Sequence, residues 1–260
     1  MSGRFLSSRP ILTGWACFLP IVLLLVIAGP VHAQHADASH EAAQSHGGTH
    51  GNSHVRPPGL HWEGSAEGVA YSDFNHHMAG IFILLVGLTE LWEALGIGLL
   101  AWSRFLLPAA LFGAGGFLLI WSDHEAWPVG TMSLAQTLFA GDWEILQHKT
   151  YALLLLSVGM IEALRWLGRL RHLFWYIPFP AFAIIGGLML FLHSHGDHPS
   201  AHQIAMNHAI MGTLAVAAGF CKLVSVRTTA KGNGGDVQRW ELAWAGCILL
   251  VGLFLLFYSE

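Results

Sequence analysis

The sequence predicts an all-α membrane protein: a bundle of six transmembrane helices behind a signal peptide, assembled from three tandem two-helix units. Three observations predict it. Of the 260 residues, 54% are hydrophobic and only 11% are charged, roughly half the charged share of a soluble domain. Apolar runs recur at the length that ~30 Å of hydrocarbon requires, and they leave no stretch for a separate soluble core. The chain also echoes itself. Gly-Gly-Phe-Leu-Leu-Ile-Trp-Ser-Asp-His from Gly115 to His124 returns as Gly-Gly-Leu-Met-Leu-Phe-Leu-His-Ser-His from Gly186 to His195. A third copy closes the chain, where Gly252 precedes Glu260 by eight residues, the interval from Gly116 to His124 and from Gly187 to His195.

The partner helices repeat as well. His76, His148 and His208 precede Gly87, Gly159 and Gly219 by eleven residues, and Glu90, Glu162 and Lys222 by fourteen. Glycine columns alone match cheaply by chance in apolar helices. Histidine recurring in register does not, so each unit is expected to carry one ligand where its first helix starts and another where its second helix ends.

In chain order, residues 1–33 hold Arg4 and Arg9, an apolar run from Ile11 to Gly29 and a small-residue site at Ala33. That is the order of a secretory signal peptide, although a run of this length also suits an uncleaved first span. Residues 34–75 are polar and His-rich, with His35, His40, His46, His50, His54 and His61 ahead of Pro57-Pro58 or just beyond it. This segment cannot bury a core and is expected to be largely disordered, a periplasmic metal-capturing tract or unspecialised sequence. Trp62, Tyr71 and Phe74 mark the approach to the membrane interface.

The domain 76–260 then provides spans expected at 77–100, 105–121, 149–168, 173–193, 206–226 and 240–258. Arg104, then Arg165, Arg169 and Arg171, then Lys222, Arg227, Lys231 and Arg239 fall at alternate connections, which the positive-inside rule turns toward the cytoplasm. Both termini of the mature chain thereby face the periplasm. Of the sixteen histidines beyond the leader, only His172 is then cytoplasmic. The outer connection 122–147 holds Pro128, Gly130 and an apolar patch from Leu134 to Phe139, which reads as a short interfacial helix.

This one-sidedness defines the candidate site. Neutral imidazole is the commonest protein ligand for zinc, copper, nickel and haem iron. His76, His124, His148, His195, His208 and Glu260 are expected around one spot at the outer face, with His77, His193, His198 and His202 beside them. Asp123, Glu125 and Asp197 would orient the imidazoles. A single histidine at a membrane boundary is explained by its amphipathic ring, but that preference does not explain register. Cys221 and Cys247 lie in apolar runs far apart in sequence and imply no disulfide framework. Outer-face methionine is scarce (Met78, Met132, Met206), so the donor set favours Cu(II), Zn(II) or Ni(II), with copper first by intrinsic affinity. The rival is a b-type haem held by His148 with His208, or by His77 with His193, in an electron-transferring cytochrome.

Glu90, Glu93 and Glu162 lie toward the opposite face, Glu90 being ~20 Å beyond His76 at helical rise. They form either an inner relay for an ion or proton, or plain ion pairs of Glu162 with Arg165 and Glu93 with Arg104. No nucleophile elbow, phosphate-binding loop or His-Glu-x-x-His helix is present, which argues against an enzyme. Nothing in the pattern points to nucleic acid.

Asn75-His76-His77, Gln147-His148-Lys149, His193-Ser194-His195-Gly196-Asp197-His198 and Asn207-His208, behind a leader and a His-rich segment, resemble the bacterial copper-resistance D proteins of the inner membrane. The likeness covers about residues 75–260. It implies copper tolerance or movement of copper across that membrane. Storage is a further expected role of the site, and a periplasmic metal carrier or an electron-transfer protein the expected partner.

Overall fold

The computed structural model describes residues 65–97, 103–192, 201–230 and 234–259, all within one compact unit. The leader, the His-rich stretch up to residue 64, His193, His195, Asp197, His198 and Glu260 lie outside the described residues.

Every described element is helical. We number the α-helices α1 (Ala66–Ala94), α2 (Leu106–Trp121), α3 (Leu134–Phe139), α4 (Trp143–Trp166), α5 (Pro178–Leu190), α6 (Ala201–Ala230) and α7 (Gly234–Leu256). Short 3-10 turns at Ser103–Phe105 and Leu173–Tyr176 lead into α2 and α5. Five segments, Ala66–Ala94, Ser103–Trp121, Leu173–Leu190, Ala201–Ala230 and Asp236–Leu256, are long and apolar enough to cross a membrane, as in a multi-pass membrane protein. At 24 residues α4 is as long, but Glu144, Lys149, Glu162 and Arg165 leave it too polar to be counted with them.

Four helices start before the apolar runs that announced them: α1 by eleven residues, α4 and α7 by six and α6 by five. Ser65 caps α1 by accepting a hydrogen bond from the Gly68 amide (3.1 Å), with Glu67 favourably placed in the first turn. Hydropathy marks where the hydrocarbon begins, and here the helix runs on past it. His76, His148 and His208 therefore do not open their helices as expected, but sit ten, five and seven residues beyond the first helical residue.

The six long helices form a ring in the order α1, α2, α4, α5, α6, α7, closing back on α1. In hydrocarbon apolar side chains gain little by leaving lipid, so association depends on close backbone approach at small residues. Three joints share one pattern. A Cβ on Gly252 of α7 would meet Leu84 of α1; on Gly187 of α5, Val216 of α6; on Gly115 of α2, Leu156 of α4. Each partner stands three residues before Gly87, Gly219 or Gly159, which in turn press on Leu249, Ile184 and Leu111 of the facing helices. One further small residue completes each joint: Gly80 lies on the Gly252 carbonyl, Gly212 on the Gly187 carbonyl, and Gly115 on the Ala152 carbonyl.

Between these joints Val86, Leu111, Val158, Phe179, Ala218 and Trp244 fill the interior, the Phe179 and Trp244 rings meeting edge to face at 5.1 Å. Contact between α4 and α5 is sparse: Tyr151 meets the Phe182 ring edge-on at 6.2 Å, and Arg165 lies 3.5 Å over the Tyr176 ring of the turn leading into α5.

Two adjacent glycines separate packing from propensity. At Gly187 a methyl group would meet the Gly212 carbonyl oxygen at 2.7 Å, whereas at Gly186 it would meet nothing within 4 Å. Gly187→Ala is expected to cost about 1–3 kcal/mol through overpacking, and Gly186→Ala to be neutral or to stabilise by up to ~1 kcal/mol. Thermal unfolding of the two variants in detergent checks the sign of each.

Candidate functional site

At the end of the bundle that carries the histidines, the last-turn carbonyls of α2 and α7 must find donors, since a helix end in an apolar setting has no water to satisfy it. For α2 they come from its neighbours. Tyr71 donates to the Trp121 carbonyl, Asn75 Nδ2 to Ser122 (3.4 Å) and Lys149 Nζ to Leu119 (2.9 Å). At α7 the Leu253 and Leu255 carbonyls accept from the Phe257 and Tyr258 amides, and beyond the helix end His77 Nε2 donates to the Tyr258 carbonyl (2.9 Å) and Gln203 Nε2 to that of Ser259 (3.1 Å).

The same region gathers the predicted ligands into groups. In the first, the His76 ring stacks on Tyr258 with centroids 3.8 Å apart and lies 6.2 Å from the buried ring of His208, which is nearly parallel to Tyr258 at 6.5 Å. The second is the Asp123, His148 and Lys149 group. His148 Nδ1 is 2.7 Å from Asp123 Oδ1, Lys149 Nζ is 3.2 Å from Oδ2, and the Ser122 hydroxyl is 2.5 Å from that same oxygen. His124 stands apart, edge-on to Tyr71 at 5.8 Å and 3.6 Å from Glu125, with 39% of its side chain exposed. Among the described residues no three His, Cys, Asp or Glu side chains come together to hold a metal ion. The single shared spot expected for His76, His124, His148 and His208 is therefore divided among these residues, and His77 holds the segment that follows α7.

The oxygen partners fix ring tautomers. A carbonyl only accepts, so His76 Nδ1–H donates to the Ser72 carbonyl (2.8 Å) and the neutral ring carries its lone pair on Nε2. The Asp123 carboxylate fixes His148 in the same sense. Burial by itself would push the Asp123 carboxyl up. The hydrogen bond and charge of His148, the Ser122 hydroxyl and the Lys149 ammonium outweigh it and hold the group below the usual carboxylate range.

At the other end of the bundle lies a second polar group. Lys222 Nζ stands 2.6 Å from Glu90 Oε2 and 2.6 Å from Glu241 Oε2. Trp244 Nε1–H adds a donor to Glu90 at 2.7 Å, and the Ser225 hydroxyl one to Glu241 at 2.5 Å. Lys222 was expected at a cytoplasmic turn, but it lies eight residues before the end of α6, tying α1, α6 and α7 together. Glu162 pairs with Arg165 as one alternative proposed. The expected partner of Glu93 is corrected: Glu93 is exposed and makes no ion pair among the described residues, and Arg104 lies over the Phe105 ring at 5.1 Å. Of the three relay candidates, Glu90 and Glu162 are buried, at 3% and 1% exposure.

Sequence reasoning missed Tyr258 as a ring partner and Glu241 and Trp244 as members of the charged group. Glu241 and Trp244 are one helical turn apart on α7, a spacing that marks a common face.

No family model, no curated protein and no solved structure matches the chain.

Removing one partner from each polar group gives a pH-dependent effect at Asp123 and a stability loss at Lys222. Because its carboxyl is held low, Asp123 contributes stability that is present above its unfolded-state pKa and is lost as pH falls through the lower folded-state value. The melting-temperature gap between the native chain and Asp123→Asn should therefore be open at neutral pH and close in strong acid. Lys222→Met strands two carboxylates and is expected to cost about 3–5 kcal/mol, with recovery in the double variant Lys222→Met, Glu90→Gln. Denaturant titration of the three proteins in detergent measures both effects.

Proposed function

We propose that the chain is a six-span membrane protein built from three repeated hairpins that binds a transition-metal ion, copper foremost, at its histidine end. The observation that carries this reading is the meeting of His76 and His208. They come from different helices but hold equivalent positions, eleven residues before Gly87 and Gly219. A metal-bound imidazole has its ring centre about 3 Å from the ion, so two rings on one ion lie about 6 Å apart or closer. The observed 6.2 Å fits one ion bridging the pair.

The remaining donors follow from register. In sequence, His193 follows Gly187 by six residues as Tyr258 follows Gly252, and His195 and Glu260 come two residues further in each copy. On that register we take His193, His195, His198 and Glu260 as the further donors of the set. Asp123 orients His148, as a carboxylate orients a metal-binding imidazole and raises its basicity. Nitrogen and carboxylate donors suit Cu(II) ahead of Zn(II) and Ni(II).

Architecture supports the same reading. Glycine contacts at the α1/α7, α2/α4 and α5/α6 joints support the repeat, with α2 using Gly115 rather than Gly116, the residue aligned with Gly187 and Gly252. Counted with the five apolar helices, α4 is the sixth span: its 24 residues extend about 36 Å, and Lys149 and Glu162 are each neutralised by a partner. Arginine-rich connections at the opposite end support a periplasmic side for the histidines in an inner membrane, by the positive-inside rule. With the copper-resistance D resemblance, the role is copper handling in tolerance, storage or transport, with a periplasmic metal carrier as partner.

Elemental analysis and a visible spectrum of the purified protein test this. Stoichiometric copper without a Soret band is expected. A Soret band with no copper would replace the reading with the cytochrome one. His76→Ala combined with His208→Ala should abolish tight copper binding, while His124→Ala, outside both groups, should leave the stoichiometry unchanged.

A further inference from the structure

The connection between α2 and α4 is built firmly yet turns apolar side chains outward. Its inside is ordered by specific bonds: the Trp127 amide donates to Thr137 Oγ1 (2.9 Å), the Gly130 amide to the Ala126 carbonyl (2.8 Å) and the Met132 amide to Glu125 (2.9 Å). Ala126 and Thr137 are buried, at 0% and 3% exposure. Any side chain at Gly130 would overlap the Glu125 backbone, and a reciprocal Ser133 and Gln136 capping box starts α3. On this scaffold Trp127, Val129, Leu134 and Phe139 stand out, Phe139 at 83% exposure. No charged residue occurs between Glu125 and Asp142.

We propose that segment 127–139 inserts into the lipid interface of the membrane leaflet on the histidine side. Three observations favour lipid over a protein partner. The segment joins Trp121, the exposed last residue of a helix apolar enough to cross a membrane, to Trp143, the first residue of α4, so its surface continues one that already faces hydrocarbon. Its outward groups are an amphipathic indole and bulky aliphatic and aromatic side chains, the types that settle at a headgroup boundary. Apolar side chains on a preformed backbone have no way to fold inward, and an exposed patch of this kind marks an interaction surface. Lacking charge, the segment has no means of selecting acidic lipid. Through Asp123 just ahead of it, the insertion also sets the depth at which His148 is held.

Site-directed labelling tests this on the full chain. Cys17, Cys221 and Cys247 are replaced by alanine, and Phe139→Cys, or in a second protein Leu134→Cys, receives an environment-sensitive fluorophore. Each protein is placed at one copy per phosphatidylcholine nanodisc. Quenching by nitroxide-labelled lipid that exceeds severalfold the quenching by aqueous iodide is expected at both positions. It should persist unchanged when phosphatidylglycerol replaces part of the lipid. Dominant iodide quenching would overturn the proposal in favour of a water-exposed surface. Protection from both quenchers would overturn it in favour of a protein-covered one, and a requirement for acidic lipid would overturn the uncharged mode of insertion.

Discussion

Backbone touching backbone at Gly80 and Gly252, at Gly187 and Gly212, and at Gly115 and Ala152 is the constraint from which the rest of the molecule follows. Leucine against lipid and leucine against leucine are nearly equivalent environments, so side-chain bulk supplies little reason for these helices to associate. Small residues let main chains approach, and dispersion contacts accumulate along the joint. The approach recurs at three joints of the ring. Donors such as Asn75 and Lys149 of one helix then meet the unsatisfied carbonyls of the next.

Polar chemistry is consequently confined to the two ends, separated by an apolar layer that includes Val86, Val158, Ala218 and Trp244. The two ends are built differently. Lys222, Glu90, Glu241 and Trp244 form a closed group in which cation and carboxylates answer one another, an arrangement whose clearest consequence is a fixed mutual position for three helices. At the histidine end, oxygen acceptors take one nitrogen of His76 and of His148 and direct the other ring nitrogen away from that bond. Each of these bonds fixes a ring tautomer and a ring orientation together.

Much of this could be read before any coordinates. The eleven-residue intervals after His76, His148 and His208 end at Gly87, Gly159 and Gly219, each of which lies against a facing helix. What was not legible depends on partners distant in sequence. Hydropathy cannot report that Ser65 starts α1 in polar sequence, nor that the Lys222 ammonium reaches Glu90 across 132 positions. Basic residues near a span's end were all read as surface anchors, and Lys222 has the same local signature as Arg227 without sharing its surroundings. Tyr258 was passed over because an aromatic near a membrane boundary ordinarily needs no explanation. The division of the histidines into groups follows from Asp123 capturing His148, a choice between neighbours that spacing does not encode.

The ring has one slack joint. Where α4 faces α5 the contacts reduce to the Tyr151 and Phe182 rings and the Arg165 and Tyr176 stack, whereas α1, α6 and α7 are bolted together by glycines and by Lys222. Mechanically that makes the barrel of helices a clasp, with a rigid bow and a single free edge. Any widening of the ring costs least at that edge, on the helix that carries His148.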